Sequence, residues 1–449
     1  MKNIFKIFIA LLFLSGMAQT VFANGVNTLI KESKLDTTST IAVSVKDAES
    51  GKVVYQYNEK KLLHPASTQK VFTVFPALDV LGEDYLFRTE FYVYDGNLIV
   101  KLGADPLLTS LDLKEAAKAI KALGYNHFKN VYFDDSVMDN VEWGVGWMWD
   151  DGTNKLMPKF SAYNLDGNLV NISVSKNENG APVVKSPTEY SLPVLNAVKV
   201  GKSNDLYAIR HDWISPDIIC INGTMSANTN VAVPVNNMKR YFQKRLFDYL
   251  SRSNIKIDNK SALNAQVPAG AKKVNEIAHF SSVVIEKILK DSDNYCAETY
   301  AKIAGGVQAN SQANLANQVN VFYDYWQKNG LDTSEIVIAD ASGVSRNNLL
   351  NVDFMTNALN KLYAEKGADK MKSILAQPGE GTLSNRMLNH RGKVFLKTGT
   401  LSSVSGLTGY VIADNGKVYS VAILIQNFVF PSSQVKMFEN RLIEEIEKL

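Results

Sequence analysis

Residues 65–70 have the sequence Pro65-Ala66-Ser67-Thr68-Gln69-Lys70. They begin a segment with helical apolar spacing that extends to Leu81, and Gly82 is a suitable stop just beyond it. Pro76 lies inside this segment and predicts a kink or an early end. One helical turn separates Ser67 from Lys70, so both side chains face the same way. A lysine that is held beside a serine and shielded from water can accept the serine proton, which makes the hydroxyl a nucleophile.

This spacing alone is weak support for a catalytic pair. Ser253 with Lys256 and Ser433 with Lys436 share it, and we interpret both as exposed surface pairs. Ser67 also suits an N-cap beside an exposed lysine. The hypothesis of a nucleophile therefore needs further motifs.

Two further motifs strengthen the hypothesis. Ser292 and Asn294 place a hydroxyl and an amide close together, which suits proton relay and the binding of a substrate amide. The second of these motifs, at the end of a predicted strand, is Lys397-Thr398-Gly399-Thr400. Its lysine supplies a fixed positive charge, its two threonines can donate hydrogen bonds to a carboxylate, and its glycine lets a substrate lie along the strand. Each motif alone also fits an ordinary turn. Their order, however, matches a known set of serine acyl-transfer motifs.

With these motifs the chain resembles the class C low-molecular-mass penicillin-binding proteins, the D-alanyl-D-alanine carboxypeptidase/endopeptidases. The resemblance covers nearly the whole mature chain, although Ala341 replaces the family's usual glycine. Further matching segments are Gly103–Pro106, Leu108–Ser110, Asp134-Asp135, Trp147–Asp151, Ser292–Glu298, Asp340–Arg346, Gly381–Leu383, Arg386 and Lys397–Leu401.

The resemblance implies an α/β (α+β) architecture, the penicillin-binding/β-lactamase-like transpeptidase fold. Its five-stranded antiparallel sheet lies between helices. We expect residues 24–85 and 270–449 to form this domain and residues 86–269 to form one or two inserted β-rich domains. The long gap between the first and second motifs is itself typical of the family.

The resemblance also implies the mechanism. Ser67 would attack the carbonyl of the penultimate D-alanine, with Lys70 as general base. The backbone N–H groups of Ser67 and Thr400 would form the oxyanion hole, and Ser292 would pass a proton to the leaving amine. Water would then hydrolyse the acyl-enzyme.

Substrate recognition follows from the same resemblance. Asn294 would hold the amide of the acyl part, and Lys397, Thr398 and Thr400 would hold the terminal carboxylate. Asp151, with Asp150 as the alternative, would bind the amino end of a diaminopimelate side chain, although it also fits a loop aspartate. The expected substrates are peptidoglycan stem peptides, and β-lactams, which mimic their D-Ala-D-Ala ends, would be covalent inhibitors. The sequence leaves open whether the protein forms a homodimer.

The N-terminus indicates export. A charged start, an apolar run from Ile7 to Met17 and small residues before Asn24 form a signal peptide at residues 1–23, and an uncleaved anchor is the alternative. We therefore expect a periplasmic protein with at most peripheral membrane association. The apolar face of Met437–Leu449 fits packing on the sheet better than membrane anchoring, because its charge is mixed.

Several classes of function are disfavoured by composition. A net charge of +3 does not indicate nucleic-acid binding. The five histidines show no ligand spacing, so no metal or other cofactor is expected. His64, although close to Ser67, is interpreted as structural. Cys220 and Cys296 fall in different predicted domains, which favours two thiols over a disulfide.

The local patterns predict individual elements. Strands are expected at residues 40–46, 52–57, 87–94, 98–102, 131–134, 231–235, 394–397, 406–413 and 418–426, and helices at residues 112–123, 313–329 and 352–366, with a helix pair over 280–305.

Three alternatives to the peptidase stay open. A β-lactamase would share the motifs but needs a carboxylate-activated water, and none is assigned. A non-catalytic cell-wall scaffold would keep the fold, and a general serine esterase would not need Lys397.

Overall fold

The computed structural model describes residues 20–188, 190–210, 215 and 217–449. Residues 1–19 of the predicted signal peptide and His211 lie outside the described residues. Within the described part, no helix is long and apolar enough to cross a membrane.

The described strands and helices follow one another along the chain. The strands are β1 (Thr40–Asp47), β2 (Val53–Tyr57), β3 (Leu86–Tyr94), β4 (Asn97–Lys101), β5 (His127–Asp134), β6 (Leu169–Lys176), β7 (Pro182–Lys185), β8 (Val194–Val200), β9 (Asp205–Arg210), β10 (Ile219–Met225), β11 (Thr229–Pro234), β12 (Lys256–Asn264), β13 (Lys272–Phe280), β14 (Val394–Leu401), β15 (Val404–Ile412) and β16 (Val418–Gln426). The helices are α1 (described over 20–33), α2 (Lys70–Leu81), α3 (Ser110–Ala122), α4 (Met238–Arg252), α5 (Ser281–Leu289), α6 (Asn294–Gln308), α7 (Leu315–Lys328), α8 (Val352–Lys366), α9 (Ala368–Ile374) and α10 (Ser432–Glu447).

The chain divides into two compact units. The first contains the described residues up to Ala77, together with Ile285–Asp293 and Val319–Leu449, and the second contains Leu78–Val284 and Asn294–Gln318. The second unit overlaps the predicted insertion at 86–269 but has different bounds. The predicted division into a penicillin-binding domain and inserted domains stays a prediction.

The first unit is built on an antiparallel sheet in the order β14-β15-β16-β1-β2. Helices cover both of its faces. Tyr410 of β15 donates a hydrogen bond to the Leu359 carbonyl of α8, whereas Ser405 of the same strand donates to Glu439 of α10. Positions five apart on a strand point to opposite faces, so α8 and α10 lie on opposite sides. The predicted fold class is confirmed.

The core of the first unit explains the C-terminal helix. The apolar residues of α10 are buried against sheet residues such as Val421 and Ile423, and they are Val435, Phe438, Leu442, Ile443 and Ile446. The predicted packing of this helix on the sheet is confirmed.

The second unit contains a mixed sheet in the order β12-β5-β4-β3-β13 and two three-stranded sheets, β8-β10-β9 and β11-β6-β7. The sequence prediction missed α4 in this unit. The signal was present, because Asn237 caps its N-terminus and its buried residues recur with helical spacing, at Met238, Tyr241, Phe242, Arg245, Leu246, Tyr249 and Leu250.

Of the two outcomes predicted for Pro76, a kink or an early end of the helix, the early end is wrong. Helix α2 continues through Pro76 to Leu81, and Gly82 follows with φ +82° as the predicted stop. Proline has no N–H for the carbonyl four residues earlier, that of Phe72. The indole Nε1 of Trp326 donates to this carbonyl at 3.0 Å instead, and both residues are fully buried. The orphaned acceptor is therefore satisfied from a distant helix.

The two cysteines are separate buried thiols, as predicted. Cys220 and Cys296 both belong to the second unit, so their separation as thiols does not depend on a position in different units.

Candidate active site

Ser67 and Lys70 lie next to each other in the first unit. Ala66–Gln69 form a 3-10 turn that leads directly into α2, which begins at Lys70. The Nζ atom of Lys70 donates hydrogen bonds to Ser67 Oγ at 2.9 Å and to the Ser342 carbonyl at 2.7 Å. Lys70 is fully buried, whereas Ser67 is partly exposed. The lysine is thus held within proton-transfer distance of a hydroxyl that a ligand can reach.

The turn that carries Ser67 has an unusual backbone. Ala66 has φ +47°, a left-handed conformation that costs an alanine roughly 1–2 kcal/mol. Two glycines allow neighbouring segments to approach this turn. A Cβ atom on Gly343 would lie 1.9 Å from the Ala66 carbonyl oxygen, and one on Gly399 would lie 3.0 Å from both the Pro65 oxygen and the Thr68 nitrogen. Close packing from two sides therefore holds the strained turn in place.

Asp340 organises the loop that meets this turn. Its carboxylate accepts hydrogen bonds from the backbone N–H groups of Gly343 and Ser345 and from the side chain of Asn348. The resulting loop directs the Ser342 carbonyl at Lys70. The sequence prediction quoted this segment but assigned it no role. Its aspartate followed by small residues is the local signal for such a turn.

The substitution at Ala341 is compatible with this loop. Ala341 is not among the residues with positive φ, so an alanine meets no backbone penalty there. Its carbonyl accepts a hydrogen bond from the Thr73 hydroxyl of α2. The departure from the family pattern therefore leaves the contact with α2 intact.

Ser292 and Lys397 meet although they are far apart in sequence. Ser292 lies between α5 and α6 with φ +66°, and its Oγ atom accepts a hydrogen bond of 2.7 Å from Lys397 Nζ. Lys397 also donates to the Thr398 carbonyl at 2.9 Å. The loop before Ser292 is held at the Lys290 carbonyl, which accepts the N–H of Thr382.

Electrostatics couple the two site lysines. Burial lowers the pKa of the Lys397 ammonium well below its ordinary value, and the nearby charge of Lys70 lowers that pKa further. Two buried like charges at close range disfavour each other. The site therefore disfavours two positive charges at once, and a bound anion would favour the charged form of Lys397.

Strand β14 presents an open edge beside these groups. It is the outermost strand of its sheet, and the Leu396 N–H points away from β15 to the Ala376 carbonyl. N–H groups alternate in direction along an antiparallel strand. The N–H groups of Thr398 and Thr400 therefore point to the same outer side as that of Leu396.

A buried ion pair supports this strand from behind. Glu439 is fully buried, and it accepts hydrogen bonds from Ser405, which pairs with Thr400, and from Arg386 at 3.1 Å. Burial raises the pKa of the Glu439 carboxyl, and the Arg386 guanidinium opposes that rise. The sequence prediction missed Glu439. A charged residue on the apolar face of α10 was the available signal.

The remaining predicted residues have hydrogen-bond partners within their own units. Asn294 belongs to the second unit, where its Nδ2 donates to the Leu156 carbonyl at 2.9 Å. Asp151 is in the same unit and accepts a hydrogen bond from the Met148 N–H at 3.0 Å, within a 3-10 turn. His64 Nδ1 lies 3.2 Å from the Asn348 carbonyl, which agrees with the structural role predicted for it. Among the described residues, no group of three or more His, Cys, Asp or Glu side chains could hold a metal ion.

Comparison with known proteins identifies the family. The sequence pattern of the D-Ala-D-Ala carboxypeptidase 3 (S13) family matches residues 23–442. The chain belongs to this family. The predicted resemblance to class C low-molecular-mass penicillin-binding proteins is thereby confirmed, and with it the enzyme class, a serine-type D-Ala-D-Ala carboxypeptidase.

Individual relatives agree with this assignment. The chain is 25% identical to the D-alanyl-D-alanine carboxypeptidase DacB of Haemophilus influenzae, over 95% of each chain. It is 27% identical to the D-alanyl-D-alanine carboxypeptidase of Actinomadura sp., over 90% of this chain and 81% of the relative. The crystal structure of penicillin binding protein 4 (dacB) from Haemophilus influenzae superposes with a TM-score of 0.83 at 24% identity, covering 94% of this chain and 99% of the other, and it supports the fold.

Proposed function

We propose that this enzyme trims the D-Ala-D-Ala ends of peptidoglycan stem peptides, and cleaves D-Ala cross-links as a DD-endopeptidase, through an acyl-enzyme on Ser67. The observation that carries the proposal is the buried Nζ atom of Lys70, 2.9 Å from Ser67 Oγ. A serine needs such a base because its unassisted hydroxyl is a weak nucleophile. The family assignment supports the choice of substrate.

The acylation step follows from the roles that these groups can take. Ser67 Oγ attacks the penultimate D-alanine carbonyl while its proton passes to Lys70. The backbone N–H groups of Ser67 and Thr400 bind the resulting oxyanion. The C–N bond then breaks, and the terminal D-alanine leaves as an amine after receiving a proton through Ser292. A water molecule next attacks the ester, which regenerates the Ser67 hydroxyl and releases the trimmed peptide.

Lys397 suits the recognition of the terminal carboxylate. Its lowered pKa reflects burial and the charge of Lys70, so a bound carboxylate would restore the stability of its ammonium form. The open edge of β14 provides backbone groups for a substrate that lies along the strand. The roles of Thr398, Asn294 and Asp151 in holding the substrate stay predictions of the sequence.

β-Lactams are proposed to acylate Ser67 because they present an amide carbonyl and a carboxylate in a similar arrangement. A crystal structure of penicillin binding protein 4 from Haemophilus influenzae is complexed with a β-lactam, and it superposes on this chain with a TM-score of 0.79 at 22% identity. That similarity in fold supports the proposal.

We further propose a periplasmic location with at most peripheral membrane association. The charged and apolar N-terminal segment supports export. Fractionation of cells that express the full chain, with mass determination of the mature N-terminus, tests this proposal. Recovery of uncleaved protein in the membrane fraction would contradict it.

Intact-mass measurement after incubation with benzylpenicillin tests the chemistry. The wild type should gain the mass of one penicillin, and the Ser67→Ala and Lys70→Met variants should not. Ser433→Ala is the matched control, because Ser433 also precedes a lysine by three residues but is exposed. Rapid drug hydrolysis without a lasting adduct would favour a β-lactamase. An unmodified wild type with intact drug would refute the acyl-enzyme.

A further inference from the structure

A groove outside the site described above lies between two helices of the second unit. It has a volume of about 510 Å³, and its lining residues come from α3 and from the end of α4: Leu111, Lys114, Lys118, Lys121, Ala122, Tyr249, Arg252 and Ser253. Four of these eight residues are cations and none is a carboxylate. Leu111 is 66% exposed, so the groove also presents apolar surface.

The cations of α3 form a stripe. Leu111, Lys114, Lys118 and Lys121 are separated by three or four residues and therefore share one helical face. The Cα atoms of the first and last lysines are about 10 Å apart along the axis at 1.5 Å per residue. Arg252, on α4, adds a further charge to the same groove.

The folded protein uses only part of this charge. Lys118 forms an ion pair with Glu115 at 2.8 Å, and Lys121 donates to the Asn254 carbonyl at 2.9 Å. Lys114 and Arg252 form no ion pair or side-chain hydrogen bond with any residue that the structure describes.

Helix stability accounts for some of these cations but not for all. Lys121 and Arg252 lie in the last turns of α3 and α4, where a positive charge interacts favourably with the helix dipole. Lys114 lies nearer the start of α3, where that interaction is absent. Like charges one turn apart, as at Lys114 and Lys118, are mildly destabilising. The stripe is therefore better explained by an external anion than by folding.

We propose that this groove, here named the α3–α4 groove, binds carboxylate-bearing stem peptides of the peptidoglycan polymer at a second place on the enzyme. The proposal rests on the proposed function, because that function supplies a polymer whose peptides end in carboxylates. The cations match those carboxylates, and Leu111 and the lysine stems match alanine methyl groups. A second weak contact raises the residence of an enzyme on an insoluble polymer without a change in its chemistry.

Co-sedimentation with insoluble peptidoglycan tests the proposal. The full chain carries Ser67→Ala so that the polymer is not degraded. The groove variant adds Lys114→Glu, Lys118→Glu and Arg252→Glu to this protein. We expect it to bind insoluble peptidoglycan roughly tenfold more weakly at low salt than the parent with Ser67→Ala alone. The matched control is Lys199→Glu, Lys202→Glu and Lys260→Glu, which makes the same change in net charge at exposed positions of the same unit.

Further arms identify the anion. Binding should weaken strongly between about 0.1 M and 1 M salt, because the screening length falls from about 10 Å to about 3 Å. Peptidoglycan whose carboxyl groups have been amidated should bind the parent protein as weakly as native polymer binds the groove variant. Lys114→Gln with Arg252→Gln, which alters the two cations without an ion pair, provides a milder variant should the triple variant fold poorly.

Equal binding by the groove variant and the control variant would overturn the proposal. The proposal would also be overturned, in favour of a lipid surface, if the groove variant lost binding to anionic lipid vesicles but kept its binding to peptidoglycan. Hydrolysis of a short D-Ala-D-Ala peptide, measured with Ser67 intact, separates the two proposals. We expect the groove substitutions to leave the rate of this hydrolysis unchanged. An inactive wild type would refute the proposed function, but the sedimentation result would still test the groove.

Discussion

The hydrogen bond between Trp326 and the Phe72 carbonyl provides a sharp test of how α2 tolerates Pro76. Replacing Trp326 by phenylalanine removes the indole N–H that lies 3.0 Å from this carbonyl. Both residues are fully buried, so water cannot replace the donor. A buried acceptor left without a partner costs about 1–3 kcal/mol. The smaller ring also leaves a cavity, which adds about 1–2 kcal/mol. We therefore expect a total destabilisation of about 2–5 kcal/mol.

A double-mutant cycle separates the hydrogen bond from the cavity. Pro76→Ala gives α2 an N–H that can bond to the Phe72 carbonyl within the helix. The cavity from Trp326→Phe is the same in both backgrounds, but the orphaned carbonyl exists only when Pro76 is present. The coupling free energy should therefore be about 1–3 kcal/mol.

The assay is urea unfolding followed by far-ultraviolet circular dichroism on the four proteins of the cycle. Because the chain has two units, unfolding must first be shown to be two-state, or the transition of the first unit, which contains Phe72, Pro76 and Trp326, must be resolved. If Trp326→Phe costs the same free energy with and without Pro76, the carbonyl does not depend on the indole. The explanation for the uninterrupted helix would then be wrong.

Two further predictions concern the active site and pH. Gly399→Ala should slow acylation by benzylpenicillin by roughly 10- to 100-fold, because the added Cβ would lie 3.0 Å from backbone atoms of the turn that carries the nucleophile. Gly152→Ala is the control, because a Cβ there has no atom within 4 Å, and equal acylation rates for the two variants would contradict the prediction. The hydrogen bond to Asp105 raises the pKa of His279. The stabilisation from charged His279 should be complete below about pH 6.5 and should be lost as pH rises through the raised pKa. The difference in melting temperature between wild type and His279→Phe should therefore shrink towards alkaline pH, and a difference that does not change with pH would contradict this role of His279.

Secondary structure was predictable wherever local signals agreed with one another. Helix Val352–Lys366 and strand Val418–Gln426 have the predicted bounds. The helix has a capping asparagine before it and a glycine after it. The strand follows an Asp-Asn-Gly turn and is buried along nearly its whole length. In both cases the signals at the end of the element agreed with its apolar pattern.

Local patterns failed where the deciding partner lies elsewhere in the chain. Pro76 predicted a kink or an early end because its missing N–H can be read from the sequence, whereas the compensating contact with the Trp326 indole cannot. Glu439 resembled the other charged residues of a helix with mixed charge, because the sequence around it does not show that Arg386 and Ser405 contact it. Buried polar groups need partners, but a single sequence does not name them.

The candidate site shows the same division between residue identity and geometry. The chemistry of Ser67 and Lys70 was predictable once their spacing was combined with the motifs at Ser292 and Lys397. Their environment was not predictable, because it depends on two glycines in distant segments. A side chain on Gly343 would collide with the Ala66 carbonyl, and one on Gly399 would press on Pro65 and Thr68. The sequence suggested that Gly399 makes room for substrate. The structure adds that it makes room for the turn bearing the nucleophile. A glycine in a catalytic motif can thus be required by the protein's own backbone before any substrate arrives, and a substitution there tests both demands together.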